Sequence, residues 1–215
     1  VPAQSAGSCH RPKSRPIMRI GIFGGSFNPP HLGHLHLAES VHTALALDEV
    51  WLVPSGISPH RSMEAYAPAE DRLAMCRLAA EGYSWMRAED YELSRHEKSY
   101  TYYTVRHFSQ QYPDDTFFLL VGGDMLRSFS SWYCWREILQ YAELAGIARE
   151  SGEQTELAEC VEKLRQYGKI HLVNVESYPL SSTKIRDMVQ KNQDYSCYLP
   201  EKIVQYIRMK NLYRK

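Results

Sequence analysis

Short apolar runs alternate along this chain with longer stretches in which apolar residues recur every three or four positions. Met18 to Phe23 (MRIGIF) is an apolar run that ends in Gly24-Gly25 and predicts a buried first strand. From about His34 to Leu47, Leu35, Ala38, Val41 and Leu45 share one face and predict a helix. Glu49 to Val53 predicts a second strand, stopped by Pro54. Pro68 opens a helix with Glu70 and Asp71 in its first turn, where the helix dipole favours acids, and with Leu73, Cys76 and Ala80 on its apolar face. Met86 to Leu93 alternates loosely and predicts a third strand, and Tyr100 to Gln111 a helix. Thr116 to Val121 (TFFLLV) is a near-continuous apolar strand closed by Gly122-Gly123. Trp135 to Tyr141 then predicts helix, Leu144 to Ala148 strand, Glu153 to Tyr167 a polar-faced helix, and Ile170 to Val175 the last strand. Helices over Ser182 to Lys191 and Pro200 to Lys210 finish the chain.

Strands that read as buried runs and alternate with helices predict an α/β fold: a single Rossmann-like parallel sheet with helices on both faces and a C-terminal helical segment. With no internal repeat and no long linker, one domain over residues 18–215 is expected. Residues 1–17 are expected to lie outside it. The first 16 lack periodicity and are rich in Pro, Ser and basic residues. They read as an expression remnant or a misplaced start, with Met18 the native first residue; a presequence or a basic binding arm is the weaker reading, because presequences are amphipathic and poor in Pro. Ligands of such sheets bind beyond the carboxyl ends of the strands. That directs attention to segments 24–33, 54–67, 94–99, 122–131, 149–152 and 176–181.

Composition narrows the partners. The chain has 215 residues, 44% of them hydrophobic, with 25 basic and 25 acidic side chains in balance. A zero formal charge argues against a nucleic-acid footprint, though not against a local basic pocket. Five cysteines, an odd number with no CxxC pair, disfavour a zinc site or a disulfide framework and fit reduced thiols in a cytoplasmic protein. The longest apolar runs, such as Phe117 to Val121, are too short to span a bilayer. Neither nucleic acid nor membrane is therefore expected as a partner, and homo-oligomerisation stays open.

The segment Gly24 to His34 (GGSFNPPHLGH) carries the chemistry. Glycines directly after a strand let backbone approach a ligand closely and present N–H groups to an anion. The helix that follows adds the positive end of its dipole. His31 and His34, three apart, fall on one side of its first turn, where two imidazoles can donate to phosphate oxygens. The glycine spacing is not that of a dinucleotide-binding GxGxxG, and no GKS or GKT marks a Walker loop. A second anion site is expected where Ser181, Ser182 and Thr183 open a helix: capping and anion binding use the same unpaired N–H groups, and Arg186 reaches the spot from the first turn. Asp124, just past a buried strand, is placed for a ribose hydroxyl or for a helix cap, and His60-Arg61 for a phosphate or for solvent. Asp90, Glu92 and Arg95 read as structural residues or as support for the acceptor loop.

GGSFNPPHLGH resembles the signature of the HxGH nucleotidyltransferases, and SSTKIR (Ser181 to Arg186) that superfamily's second phosphate motif. VPSGISPHR (Val53 to Arg61), SYTYYT (Ser99 to Thr104), GGDML (Gly122 to Leu126), SSWYCW (Ser130 to Trp135) and the closing NLY (Asn211 to Tyr213) are similar to blocks of the bacterial nicotinate-nucleotide adenylyltransferase family, in the same order. Three positions depart from it. Asn28 stands where the family commonly has Asp, so no charge-dependent role is assigned to it, and Ser55-Gly56 replaces a frequent Asn pair.

The resemblance implies transfer of an adenylyl group from ATP to nicotinate mononucleotide, giving nicotinate adenine dinucleotide and pyrophosphate in NAD biosynthesis. His31, His34 and Arg186 would be the catalytic groups. ATP would meet Gly24, Gly25, Ser26, Phe27, Asp124, Arg149, Ser182, Thr183 and Arg186. On the acceptor side, Trp132 would stack on the pyridine ring, Thr101 and the backbone at Tyr133 would meet its carboxylate, and His60 and Arg61 its phosphate. Mg²⁺ is expected to arrive on the ATP phosphates rather than in a protein metal site. The rival readings are a relative with another acceptor, such as nicotinamide mononucleotide or phosphopantetheine, and a nucleotide-binding sensor without catalysis.

Overall fold

The structure, a computed structural model, describes residues 15–56, 66–95, 98–149 and 152–214. Among the described residues six strands form one sheet: β1 (Arg19–Gly25), β2 (Glu49–Pro54), β3 (Met86–Ala88), β4 (Thr116–Gly122), β5 (Glu143–Ala148) and β6 (Ile170–Asn174). Every pairing is parallel and the order is β3-β2-β1-β4-β5-β6. The helices are α1 (Leu32–Ala44), α2 (Ala69–Ala80), α3 (Thr101–Gln111), α4 (Gly123–Ser128), α5 (Trp135–Tyr141), α6 (Glu153–Leu164), α7 (Ser182–Gln190) and α8 (Glu201–Met209).

Both faces of the sheet are buried, which is why its strands read as continuous apolar runs. On β4, Phe118 and Leu120 point into one core with side chains of α1, α2, α7 and α8. Phe117, Leu119 and Val121 point into the other, with side chains of α3, α4, α5 and α6. The last two helices thus return to the first face and complete its core with Ile185, Val189, Ile203 and Ile207, all buried. Tyr206 on α8 donates its hydroxyl to Asp71 Oδ1 on α2 at 2.7 Å. No helix among the described residues is long and apolar enough to cross a membrane.

The strand order sets the site. β1 and β4 are neighbours, yet the chain leaves β1 into α1 on one face and leaves β4 into α4 on the other. Diverging connections open a crevice at the carboxyl ends of the two strands. Gly24-Gly25 and Gly122-Gly123 line that crevice.

Several sequence expectations shift. β3 stops at Ala88 instead of Leu93, because the alternating residues beyond it fold into a turn in which Leu93 and Ser94 both donate to the Asp90 carbonyl. The short strand suits its place at the sheet edge. Segment 122–131, read as a loop, holds α4 and a 3₁₀ turn over Phe129–Ser131, two pieces too short to show a helical period. α1 begins at Leu32, two residues earlier than expected, with His31 as its N-cap. On α2 the buried stripe is Arg72, Met75, Cys76 and Ala79, while Leu73 is only partly covered. Residues 1–14 lie outside the described part, and Arg15 reaches back to Asp115 Oδ2 at 2.6 Å.

Candidate active site

The loop after β1 is rigidly built. A Cβ added at Gly24 would meet nothing within 4 Å, and neither Gly24 nor Gly25 has a positive φ. Gly24 therefore leaves room for something outside the chain, whereas a Cβ at Gly25 would press on the Phe27 ring at 3.2 Å; neither glycine serves a backbone turn. The turn is made instead by Phe27, at φ 44°, a left-handed conformation that costs a bulky residue ~1–3 kcal/mol. Its ring is fully buried, edge-on to Phe23 and to the imidazole of His34, with ring centroids 5.4 and 5.1 Å away. Phe27 thus supports His34 from beneath and leaves only its backbone to face a ligand. Asn28 is also fully buried, and its Oδ1 accepts the Ala67 N–H at 2.9 Å.

The two histidines form a stacked pair, with ring centroids 3.7 Å apart. The His31 backbone N–H donates to His34 Nδ1 at 3.1 Å. An accepting Nδ1 puts the ring proton of His34 on Nε2, so the imidazole offers one N–H donor at its far end. His31 is 5% exposed and its Nδ1 has no hydrogen-bond partner among the described residues. Burial, reinforced by the nearby Arg149 guanidinium, pushes the His31 pKa down from 6.5 to about 4. Burial first, then His31, then Arg149 hold His34 well below its ordinary value. At neutral pH the pair is therefore two uncharged donors.

This has a stability consequence of definite sign. Below pH 6.5 the unfolded chain takes up a proton at His31 that the folded chain refuses, so the stability due to the neutral ring is complete above pH 6.5 and is lost as pH falls toward 4. At 1.36 kcal/mol per pKa unit, the depression from 6.5 to about 4 amounts to ~3 kcal/mol. His31→Gln is expected to flatten part of the loss of unfolding free energy, measured by urea denaturation between about pH 7.5 and 4.5. Identical slopes for the two proteins would refute a neutral buried His31.

α7 faces this loop and is bonded to it. Ser181 is its N-cap, with Oγ accepting the Lys184 N–H at 3.2 Å. Ser182 Oγ donates to the Pro29 carbonyl at 2.8 Å. Arg186 donates from Nη1 to the Asn28 carbonyl at 2.8 Å and from Nη2 to Thr183 Oγ1 at 3.2 Å. The two predicted phosphate motifs are thus brought together, more than 150 residues apart in sequence (Arg186 and Asn28 differ by 158). The Ser182 and Thr183 amides sit in the first turn of α7, where helix N–H groups have no intrahelical acceptor.

Across the crevice, Arg149 follows the last residue of β5, and its backbone N–H donates to Glu153 Oε2 at 2.9 Å. Its guanidinium lies over Gly122: Nη2 is 3.6 Å from where a Cβ on that glycine would be. Asp124 sits in the first turn of α4, exposed, and pairs with Arg127 at 2.9 Å. Arg127 also reaches Glu153 and Glu156 at 3.3 and 3.2 Å, which ties α4 to α6.

Of the residues expected on the acceptor side, Thr101 is the first residue of α3. Trp132 is half-buried, its ring 5.3 Å from Phe129, and Tyr133 is exposed beside Tyr100 at 5.0 Å. The next residue, Cys134, has φ 51°, another strained left-handed position, and it turns the chain into α5. His60 and Arg61 lie outside the described residues. Glu92, buried at 8% exposure, accepts from Thr104 Oγ1 at 2.7 Å. Burial raises its pKa, against hydrogen bonds from Thr104, Ser99 and the Gly56 backbone. Glu92 thus ties Gly56 to Thr104, from a turn and not from β3. Gly56 packs so closely on the Glu92 carbonyl that no side chain would fit.

One residue was missed. Arg72 on α2 is 1% exposed, and its Nη1 donates to the carbonyls of Ser26 at 2.9 Å and Ser55 at 2.8 Å. The available signal was its helical spacing: it shares a stripe with Met75, Cys76 and Ala79, so it is a cation on an apolar face.

A family model described as cytidylyltransferase-like matches residues 22–188. A protein of Geobacillus thermodenitrificans that carries the name nicotinate-nucleotide adenylyltransferase is 36% identical over 195 residues, 91% of this chain and 86% of its own. One of Bacillus anthracis with the same name is 36% identical and covered to 99%. The nicotinic acid mononucleotide adenylyltransferase of Plasmodium falciparum, solved with NaAD, superposes with a TM-score of 0.74 at 21% identity, over 91% of this chain and 97% of that one, a likeness of fold. The double phosphate motif of the crevice and these matches agree: the chain belongs to the cytidylyltransferase-like family and, within it, to the nicotinate-nucleotide adenylyltransferases.

Proposed function

We propose that this chain transfers the adenylyl group of ATP to nicotinate mononucleotide, releasing pyrophosphate and forming nicotinate adenine dinucleotide. The observation that carries the reading is the joining of the loop that leads into the stacked, uncharged His31–His34 pair to the N-terminus of α7, through Arg186 and Ser182 on the Asn28 and Pro29 carbonyls. Such a clamp suits a polyphosphate: imidazole donors over the α/β region, and α7 amides with Arg186 over the β/γ region.

In this mechanism a phosphate oxygen of the acceptor attacks the α-phosphorus of ATP in line, and the bond to the bridging oxygen of pyrophosphate breaks. A phosphate monoester is largely ionised at neutral pH, so no general base is needed. Catalysis is positioning plus stabilisation of developing charge. Among the described residues no three His, Cys, Asp or Glu side chains gather as a metal-binding group. In this reading Mg²⁺ accompanies ATP as part of the substrate, neutralising phosphate charge beside Arg149 and Arg186. Zero net charge and small nucleotide substrates fit a cytoplasmic enzyme.

The deciding assay is pyrophosphate release from ATP with nicotinate mononucleotide, nicotinamide mononucleotide or phosphopantetheine as acceptor. Preference for the first is expected; release with none of them would leave the sensor reading, and preference for another would reassign the acceptor. Trp132→Ala is expected to raise the KM for nicotinate mononucleotide by about tenfold through loss of a stacking surface, with the KM for ATP unchanged. An unchanged acceptor KM would remove Trp132 from the site.

A further inference from the structure

We infer that Arg72 is a positioning residue that holds the acceptor side of the site in register with the ATP loop. The inference rests on the adenylyl-transfer reading and extends it to a residue that touches neither substrate.

The loops after β1 and β2 come from adjacent strands, and their carbonyls at Ser26 and Ser55 converge on one nitrogen of Arg72. Backbone carbonyls of two loops repel one another unless a cation or donor sits between them. The same guanidinium lies 5.6 Å from the centre of the Tyr66 ring, within cation–π range. Ser55 and Tyr66 flank the segment that carries His60 and Arg61. Arg72 thus contacts both feet of that segment and the ATP loop at once. Asn28 makes a second tie at the far foot, through its bond from the Ala67 N–H at 2.9 Å. Glu92 closes the set on the other side, joining Gly56 to Thr104 on α3, three residues beyond Thr101.

The arrangement is not one that stability alone would select. A guanidinium 1% exposed, with Nε unpartnered among the described residues, gives up hydration that backbone carbonyls only partly replace. Burial also pushes its pKa down. A Met or Leu would fill the same stripe beside Met75 and Cys76 without that loss. What an apolar side chain would not do is bridge Ser26 to Ser55. The ATP loop has independent anchors in Ser182 and Arg186. Losing Arg72 therefore falls mainly on the acceptor side.

The test is steady-state kinetics of Arg72→Met and Arg72→Lys, with ATP and nicotinate mononucleotide varied separately and thermal unfolding measured alongside. For Arg72→Met a rise in acceptor KM of about tenfold or more is expected, with the ATP KM within about threefold and kcat reduced. Arg72→Lys keeps the charge and a donor; it is expected to recover most of this, leaving an acceptor KM about threefold above wild type. A folded Arg72→Met with an unchanged acceptor KM, or with both KM values raised equally, overturns the inference. So does an Arg72→Lys no better than Arg72→Met. If Arg72→Met does not fold, Arg72→Lys decides alone, and an acceptor KM equal to wild type overturns it. Wild-type turnover is measured first and judges the parent reading separately. If wild type prefers another acceptor, the same split is read with that acceptor. If it turns over none, amide exchange at Tyr66 and Ala67 decides: faster exchange in Arg72→Lys supports the tether and equal exchange overturns it.

Discussion

His34→Ala is expected to lower kcat by about 10²-fold or more while the protein stays folded. The magnitude follows from what the ring offers. Its Nδ1 is occupied by the His31 backbone N–H, so the free edge carries a single Nε2–H donor whose direction is fixed by two contacts, the Phe27 ring below and the His31 ring beside it. A donor fixed before the substrate arrives needs no reorganisation as charge builds on the α-phosphate, and loss of one such donor in other enzymes costs ~2.7–4 kcal/mol of transition-state stabilisation. Since that charge is greatest in the transition state, kcat is expected to fall much more than ATP affinity. His34→Gln, which keeps an N–H donor at similar reach on a more flexible arm, is expected to retain more activity than Ala. Rapid-quench measurement of dinucleotide formation at saturating substrates would check this, and a His34→Ala rate near wild type would end the catalytic assignment of the pair.

The legible part of this molecule was what local pattern and spacing encode. The six strands, the doubly covered sheet and the glycine-rich loop before α1 followed from apolar runs, from Gly24-Gly25 and from the spacing of His31 and His34. What escaped was set by long-range contact. Nothing near Phe27 or Cys134 marks a left-handed turn, because the glycine that usually signals one is absent from both. α4 was hidden by its own shortness. Arg72 resembled one more charge on a helix rich in charges; only its place on the stripe with Met75, Cys76 and Ala79 distinguished it, and only the fold brings the two carbonyls to it. Asn28 illustrates the same limit from the other side. The substitution of a commonly acidic position looked like a lost charge, whereas the structure uses the side chain as a buried acceptor for Ala67, a role either amide or carboxylate fills.

Arg186→Ala is expected to produce the second large effect, about 10²-fold in kcat/KM for ATP, with the KM for nicotinate mononucleotide nearly unchanged. Two contributions add. The guanidinium latches the first turn of α7 onto the ATP loop at Asn28, and it supplies positive charge beside the amides that would hold the β- and γ-phosphates. Arg186→Lys separates them. An ammonium keeps the charge but lacks the fork that spans the Asn28 carbonyl and Thr183 Oγ1 together, so an intermediate loss is expected. The reverse reaction gives a sharper reading. Pyrophosphate is then a substrate in its own right, bound where the β- and γ-phosphates lay, and its KM is expected to rise in Arg186→Ala while the KM for nicotinate adenine dinucleotide changes little. A folded Arg186→Ala with wild-type pyrophosphate KM would mean that Arg186 only staples α7 to the loop, and the leaving group would then have to be held by Arg149 on the opposite wall, whose field already reaches both histidines.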